Sequence, residues 1–206
     1  METSLIPQRT DEWFTARLGR ATASRAADIL AKIKSGEAAT RRQYRAQLVV
    51  ERLVGKPYEH YVNEAMQHGI DQEPFAIMSY EAATGNIVQP VGFIQHPKLM
   101  AGASPDGEIG EDGLLEAKCP TTAEHIDALL NGMSPKHSPQ VQFQMWITGR
   151  AYVQFVSYDP RMPERMQLYV QRVRRDDKYI SMLEVEVRKF LGEVDKTIAE
   201  LEAKIK

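Results

Sequence analysis

The most constraining feature of this sequence is the run GLLEAKCP at residues 113–120, where two charged residues interrupt an otherwise apolar segment. The turn sequences SPDG and GEDG precede it, and short apolar runs between turns are typical of β-strands. Residues two apart in a strand lie on one face, about 7 Å from each other. We therefore expect Glu116 and Lys118 on one face of a strand, with Leu115 and Ala117 facing the core.

Helical and strand patterns on either side of this run indicate the fold class. A short helix around residues 13–18, a second helix begun by Thr22 or Ser24, and longer helices at 41–55 and 63–85 come first. A β-meander follows at 88–119, and Thr121 with Glu124 forms a capping box for the next helix. A helix around 140–149, a hairpin at 151–173 and a terminal helix at 179–205 complete the chain. This order predicts an α/β fold, in the α+β sense of a mixed sheet flanked by helices, as a single domain over residues 1–206.

The composition limits the chemistry that the chain can perform. The single Cys119 cannot form an internal disulfide, and five scattered histidines give no zinc-binding pattern, so any metal must be held by oxygen. The net charge of −2 argues against a protein that coats nucleic acid electrostatically. No stretch approaches the roughly 20 apolar residues of a membrane span, and the N-terminal residues lack a signal-peptide pattern. We expect a cytoplasmic protein that does not contact membranes.

The polar face of the central strand suggests a specific reaction. Asp106, in the SPDG turn, would reach that face if the two strands pair as a hairpin. The carboxylates of Asp106 and Glu116, with a backbone carbonyl, are hard oxygen ligands that suit Mg²⁺. Lys118 would hydrogen-bond and help to deprotonate an attacking water beside a scissile phosphate, which is the chemistry of phosphodiester hydrolysis. The alternative is a solvated pair of Glu116 and Lys118 beside an ordinary turn.

The P-D turn followed by the E-x-K strand resembles the PD-(D/E)xK nucleases, which implies a restriction-endonuclease-like core. Further segments resemble the phage lambda exonuclease family of viral recombination nucleases, and they occur in that family's order. LEAKCP and YDPRM are specific to this group rather than to nucleases in general. The similarity extends from about residue 13 to about residue 179, through WFTARLGRATAS, HGIDQE, SPDG, LEAKCP, QVQFQMWIT, YDPRM and RDDKY.

The resemblance implies roles for the residues that match these motifs. Asp106, Glu116 and the backbone carbonyl of Ala117 would bind Mg²⁺, for which Mn²⁺ can substitute. Glu73, from the preceding helix, would complete the metal shell, and Lys118 would orient the attacking water.

A glutamine from the QVQFQMWIT segment would touch the water or the scissile phosphate. Gln140 is the candidate, with Gln144 one helical turn later on the same face, and Gln142 is a close rival.

The N-terminal motif predicts a second site, for a 5′-terminal phosphate. Arg17 supplies a forked cation, and Thr22 to Ser24 lie where a helix begins, with hydroxyls and free backbone N–H groups that suit an anion. Ser104, beside the metal turn, would join this pocket. The alternative is that Ser24 only caps a helix and Arg17 is a surface charge. Three arginines of TRRQYR are candidates for a basic DNA-binding surface or an ordinary solvated helix face: Arg41, Arg42 and Arg45.

The family resemblance implies a Mg²⁺-dependent exodeoxyribonuclease that degrades the 5′-ended strand of duplex DNA processively and leaves a 3′ single-stranded tail. Three subunits of that family form a ring around DNA, which would reconcile activity on DNA ends with a net charge of −2. The resemblance further implies a phage or prophage origin and a single-strand annealing protein as partner. Two alternatives stay open: a restriction-type or structure-specific endonuclease, and a DNA-end-binding recombination clamp without catalysis.

Overall fold

The described residues fold into two sheets surrounded by helices. The structure, a computed structural model, describes residues 6–58 and 63–205, so that residues 1–5, 59–62 and 206 of the predicted domain lie outside these ranges. None of the described helices is long and apolar enough to cross a membrane. The helices are α1 (Asp11–Arg17), α2 (Ala26–Leu30), α3 (Ala39–Val54), α4 (Glu64–Thr84), α5 (Thr122–Asn131), α6 (Ser138–Thr148) and α7 (Asp177–Ile205). The strands are β1 (Ala21–Thr22), β2 (Ile94–Gln95), β3 (Ala101–Ala103), β4 (Gly107–Ile109), β5 (Gly113–Lys118), β6 (Tyr152–Tyr158) and β7 (Leu168–Arg174).

The larger sheet contains the GLLEAK strand. Its strand order is β4-β5-β6-β7. β4 and β5 form an antiparallel hairpin, β5 and β6 are parallel, and β6 and β7 are antiparallel. Parallel neighbours need a crossover connection, which α5 and α6 provide between β5 and β6. The predicted mixed sheet flanked by helices is confirmed, and β5 lies in its interior.

Both faces of β5 are covered. Leu115 and Ala117 pack in the cluster that includes α4 residues, as predicted. Leu114, on the opposite face, packs in a second cluster with residues of α6. Glu116 shares that face because it lies two residues further along the strand. The predicted polar face therefore lies beneath α6, with Glu116 buried and Lys118 partly exposed.

The predicted β-meander is divided between two sheets. β2 and β3 join β1 in a three-stranded sheet of order β1-β3-β2, whereas β4 and β5 belong to the larger sheet. Residues 104–106 carry the chain from one sheet to the other. Pro105 lacks the N–H group that a strand ladder needs, which favours a break at this point. Asp106 consequently lies at the seam between the sheets.

The second predicted helix is shorter than expected. Residues Ala23–Arg25 form a 3-10 turn, and α2 covers only Ala26–Leu30. Thr22 makes no capping hydrogen bond through its side chain, so its predicted role as helix cap is wrong. The reason is that its hydroxyl lies instead within hydrogen-bonding distance of Ser24 Oγ and the Tyr44 hydroxyl.

The largest core cluster joins α2, α3, α6 and α7 to the smaller sheet. The helix α7 carries Ile180, Leu183, Val187 and Leu191, all of which are buried.

α3 holds the turn that follows α1. The side chain of Glu51 accepts a hydrogen bond from the Gly19 N–H at 2.8 Å, and Arg52 Nε donates to the Gly19 carbonyl at 2.8 Å. Gly19 has a φ of +65°, and a Cβ built there would lie 2.6 Å from Arg52 Cγ. Only glycine fits this turn without displacing Arg52, and the turn sets the position of Arg17 two residues earlier.

We expect Gly19→Ala to destabilise the protein more than Gly55→Ala. Both glycines have positive φ, but nothing lies within 4 Å of a Cβ at Gly55. Gly55→Ala should lower the free energy of unfolding by about 1 to 2 kcal/mol through backbone strain alone. Gly19→Ala should lower it by roughly another 1 to 3 kcal/mol, because the methyl group crowds Arg52. Denaturant unfolding of both variants measures the difference, and equal losses would show that the contact with Arg52 imposes no constraint.

Candidate active site

Glu116 and Lys118 lie side by side on β5, as predicted. The Glu116 side chain is only 2% exposed, and Lys118 Nζ lies 2.5 Å from its Oε1. Burial opposes a charge on Lys118, but the nearby carboxylates of Glu116 and then Asp106 outweigh it, so the pKa of Lys118 is raised. Lys118 is therefore a charged hydrogen-bond donor in this site, and the alternative of a solvated surface pair does not describe it.

Asp106 reaches the same region through the β4–β5 hairpin. Its N–H donates to the Leu115 carbonyl at 3.0 Å, and its Oδ2 accepts from the Ala117 N–H at 2.7 Å. Burial raises the pKa of Asp106 well above its ordinary value, and the charges of Glu116 and Glu73 raise it further. Asp106 and Glu116 thus share the seam between the sheets, and Glu73 is near enough for its charge to act on Asp106.

Two glutamines of α6 complete the surroundings of Glu116. Gln140 Nε2 donates to Glu116 Oε1 at 2.5 Å, and Gln144 Nε2 donates to the other oxygen. Gln142 faces away from Glu116. Its Nε2 donates to the Arg174 carbonyl, and its Oε1 accepts from the Asp176 N–H. Gln140 is therefore the glutamine at the site, and Gln142 joins α6 to the start of α7.

Glu73 approaches from α4 and pairs with the N-terminal segment. Arg9 Nη2 lies 2.6 Å from Glu73 Oε2, and Arg9 adopts a φ of +70°, which is unusual for a residue other than glycine. Arg9 had no sequence signal as a site residue.

The donor set at this seam consists of oxygen atoms. Among the described residues, no three acidic, histidine or cysteine side chains are grouped closely enough to hold a metal ion by themselves. Glu73, the predicted third ligand, stands apart because it pairs with Arg9. The remaining carboxylates, Asp106 and Glu116, fit the chemistry of Mg²⁺, which binds one or two carboxylates and keeps several waters.

Arg17 lies in the second predicted site. Its guanidinium covers the ring of Trp13 at 3.9 Å from the centroid, and its Nη1 lies 3.5 Å from Ser104 Oγ. Ser104 Oγ also accepts a hydrogen bond from Trp13 Nε1 at 2.9 Å. Burial lowers the pKa of Arg17 to about 10. Arg17 is therefore a largely desolvated cation held in place by an aromatic ring.

The two predicted sites open into one cavity of about 190 Å³. Arg17, Ser24 and Ser104 form one part of its wall, which we call the anion site. The remainder includes Asp106, Glu116, Lys118, Glu73 and Gln140, which we call the carboxylate site.

Thr22 differs from its prediction. Its N–H donates to the Tyr44 hydroxyl at 2.9 Å, and its Oγ1 lies near both Ser24 Oγ and that hydroxyl. The prediction of free N–H groups at residue 22 is wrong because Tyr44 already binds this one. Thr22 contacts Ser24 through its hydroxyl but does not line the cavity of about 190 Å³.

The three arginines of TRRQYR occupy different environments. Arg41 is buried and pairs with Glu37 at 2.7 Å and Glu193 at 2.6 Å, and Arg45 pairs with the same two carboxylates. A DNA contact by either would require these ion pairs to break. Only Arg42 of the three is exposed as the prediction of a basic surface requires.

A larger cleft of about 1040 Å³ adjoins the carboxylate site between α4 and α5. The YDPRM segment supports its edge, since buried Asp159 accepts hydrogen bonds from Thr122 Oγ1 and from Arg161. Arg161 also donates to the Pro120 carbonyl at 2.9 Å. These bonds, chiefly those of Arg161, hold the pKa of Asp159 at about 2 although burial opposes this. This motif thus holds the chain immediately after Lys118.

Comparisons with known proteins agree with this fold. A family model described as the YqaJ-like viral recombinase domain matches residues 12–151. An alkaline exonuclease from Laribacter hongkongensis is 45% identical, with a TM-score of 0.87 over 95% of this chain and 98% of that one. The same enzyme in complex with dAMP gives a TM-score of 0.89. A phage-related exonuclease from Haemophilus somnus shares the fold at 15% identity, with a TM-score of 0.70 over 88% of this chain and 96% of that one.

The fold and the site define a nuclease of the alkaline exonuclease class. The chain belongs to the YqaJ-like viral recombinase family, which confirms the resemblance to viral recombination nucleases. A curated relative, the putative uncharacterized protein ExoD of Escherichia coli K12, is 36% identical over 62 residues, which are 30% of this chain and 70% of that protein.

We expect Asp106→Asn to stabilise the metal-free protein at neutral pH. The change removes a buried charge repelled by Glu116 and Glu73, while the amide oxygen still accepts from Ala117. The raised pKa means that wild-type Asp106 is destabilising when charged, so the gain is full above its folded pKa and fades as pH falls towards about 3.9. Melting in EDTA across a pH series checks this. A loss of stability, or a gain that does not change with pH, would contradict it.

We expect Gln140→Ala and Gln142→Ala to separate activity from stability. Gln140→Ala removes one contact to Glu116 and should impair DNA cleavage, while Lys118 and Gln144 still donate to that carboxylate and limit the loss of stability. Gln142→Ala leaves two backbone groups without partners and should cost about 1 to 3 kcal/mol of stability. Cleavage assays and denaturant unfolding on both variants test the assignment, and the reverse pattern would favour Gln142 as the active-site residue.

Proposed function

We propose that this protein is a Mg²⁺-dependent exodeoxyribonuclease that degrades the 5′-ended strand of double-stranded DNA from an end. The observation that carries the proposal is the single cavity shared by the anion site and the carboxylate site. An anion site beside a hydrolytic site suits a strand whose terminal phosphate is held while the next phosphodiester is cut. Holding the 5′-phosphate gives the 5′-to-3′ direction and leaves a 3′ single-stranded tail.

Asp106, Glu116 and the carbonyl of Ala117 would hold Mg²⁺ or Mn²⁺, with Glu73 as a further ligand after it leaves Arg9. The bound ion would supply positive charge to the scissile phosphate and acidify a water. The two site carboxylates carry mutual repulsion that a divalent cation relieves, which is consistent with this assignment.

The side chains of the site position the reactants. Lys118, charged because of its raised pKa, donates to the attacking water and offsets negative charge on the phosphate. Gln140 holds Glu116 Oε1 and stands where it can contact the water or phosphate. Arg17, with the hydroxyls of Ser24 and Ser104, holds the 5′-phosphate through charge-assisted hydrogen bonds.

A homotrimeric ring and a single-strand annealing partner form part of the proposal. An exposed apolar patch on α3 supports contact with another subunit, since such patches mark interaction surfaces on otherwise polar proteins. The patch consists of Val50 (41% exposed), Leu53 (47%) and Val54 (61%). A ring that encloses duplex DNA would give processivity without a strongly basic surface.

The decisive experiment is digestion of linear duplex DNA with a 5′-phosphate on one end and a 5′-hydroxyl on the other, beside a covalently closed circle. We expect Mg²⁺-dependent loss of the 5′-phosphorylated strand while the circle stays intact. Lys118→Ala should reduce the rate at least about a hundredfold, since the water loses its donor. Lys34→Ala, at an exposed lysine, serves as the charge-matched control.

Each of the other outcomes would support a different function for this protein. Cutting of the closed circle would show that the protein is an endonuclease and not an exonuclease. DNA-end binding without cleavage in Mg²⁺ or Mn²⁺ would favour a recombination clamp. If the strand with the 5′-hydroxyl were degraded at the same rate, the anion site would have no role in selecting a 5′-phosphate.

A further inference from the structure

A second cavity adjoins the anion site. It has a volume of about 580 Å³ and shares Trp13, Arg17 and Ser24 with the small cavity. Its volume falls within the range of small-ligand sites, about 300 to 1,000 Å³. Of the acidic residues that the structure describes, only Glu51 lines it, and that carboxylate binds the Gly19 N–H. Its walls are mainly apolar and include Phe14, Leu18, Leu48, Pro57, Met66 and Ile70.

Arg17 and Arg20 bring positive charge to this cavity, which the nearby Glu51 carboxylate offsets in part at Arg17. Both line it, and in the described part of the chain neither guanidinium has an ion-pair partner. Arg25, which also lines the cavity, is by contrast paired with Asp28. Burial lowers the pKa of Arg17 and also that of Arg20. Desolvated cations without counter-ions are stabilised by an anionic ligand.

Positive charge beside apolar walls matches a nucleotide, which carries an anionic phosphate and a flat base. We propose that this cavity binds one unpaired nucleotide on the 5′ side of the phosphate in the anion site, with Arg20 on that nucleotide's own 5′-phosphate. The inference rests on the proposed function, because it extends the path of the same DNA strand. We call the cavity the extension pocket, after the 5′ extension that it would bind.

Two phosphate positions give the 5′ end two binding registers. With the terminal phosphate in the anion site, hydrolysis of the next bond releases a mononucleotide. With the terminal phosphate on Arg20 and the second phosphate in the anion site, it releases a dinucleotide. In both cases water oxygen joins phosphorus, the bond to the 3′ oxygen breaks, and that oxygen takes a proton. The shortened strand keeps a 5′-phosphate, so later cycles run in the first register.

The test compares a duplex carrying a one-nucleotide 5′ extension with a blunt duplex, both labelled on the 5′-phosphate. In a single turnover, we expect wild-type protein to release mainly labelled dinucleotide from the extension and labelled mononucleotide from the blunt end. Arg20→Ala should lower the dinucleotide fraction from the extension at least fivefold. Arg188→Ala, at an exposed arginine of α7, removes the same charge elsewhere and should not change the product ratio. Arg20→Gln replaces Arg20→Ala if the alanine variant has a lower melting temperature.

A binding measurement keeps the inference independent of cleavage. In EDTA, a 5′-phosphorylated dinucleotide should bind wild-type protein about tenfold more tightly than dTMP, and Arg20→Ala should remove most of that difference. Equal affinities, or a product ratio that Arg20→Ala leaves unchanged, would overturn the extension pocket. Failure to digest the blunt duplex would instead overturn the proposed function, and the binding ratio would still decide whether the pocket holds a nucleotide.

Discussion

The buried carboxylate of Glu116 is the interaction on which the arrangement of this protein depends. An isolated charge with 2% exposure costs several kcal/mol, and it is tolerated only with close donors. Those donors come from the same strand, through Lys118, and from α6, through Gln140 and Gln144. α6 must therefore lie across β5, and the crossover of α5 and α6 that makes β5 and β6 parallel puts it there.

The charge balance around Glu116 favours binding over stability. Three carboxylates and three cations line the cavity at the seam, and the raised pKa of Asp106 reflects burial and repulsion that these cations do not relieve. Proteins commonly retain such strain where a ligand removes it, at some loss of stability in the free state. The ion pair between Arg9 and Glu73 offsets the negative charge of Glu73. Under the proposed function, a DNA phosphate that enters the cavity would compete with Glu73 for Arg9. Under the proposed function, this arrangement suits a metal cation and a phosphate that bind together.

The features of the fold and site that the sequence predicts correctly are those that depend on short-range sequence patterns. The alternation in β5 and the turn at Asp106 place their carboxylates correctly because both are short-range features. The pairing of Arg41 with Glu193 joins residues 152 positions apart, and the helical pattern of TRRQYR contains no sign of it. The predicted cap at Thr22 is wrong because its hydroxyl lies beside Ser24 Oγ and the hydroxyl of Tyr44, which is 22 residues away in the sequence. Long-range pairing therefore decides what local propensity leaves open.

The seam between the two sheets sets the distance between the anion site and the carboxylate site. Ser104 and Asp106 are two residues apart, on either side of Pro105, whose ring restricts the backbone between them. Trp13 holds Ser104 on one side and the Ala117 N–H holds Asp106 on the other, so neither can shift alone. Under the proposed function, this spacing separates a held phosphate from the bond that is cut. A break between sheets at Pro105 would then determine how much DNA leaves in each cycle, and the extension pocket would add one nucleotide to that length.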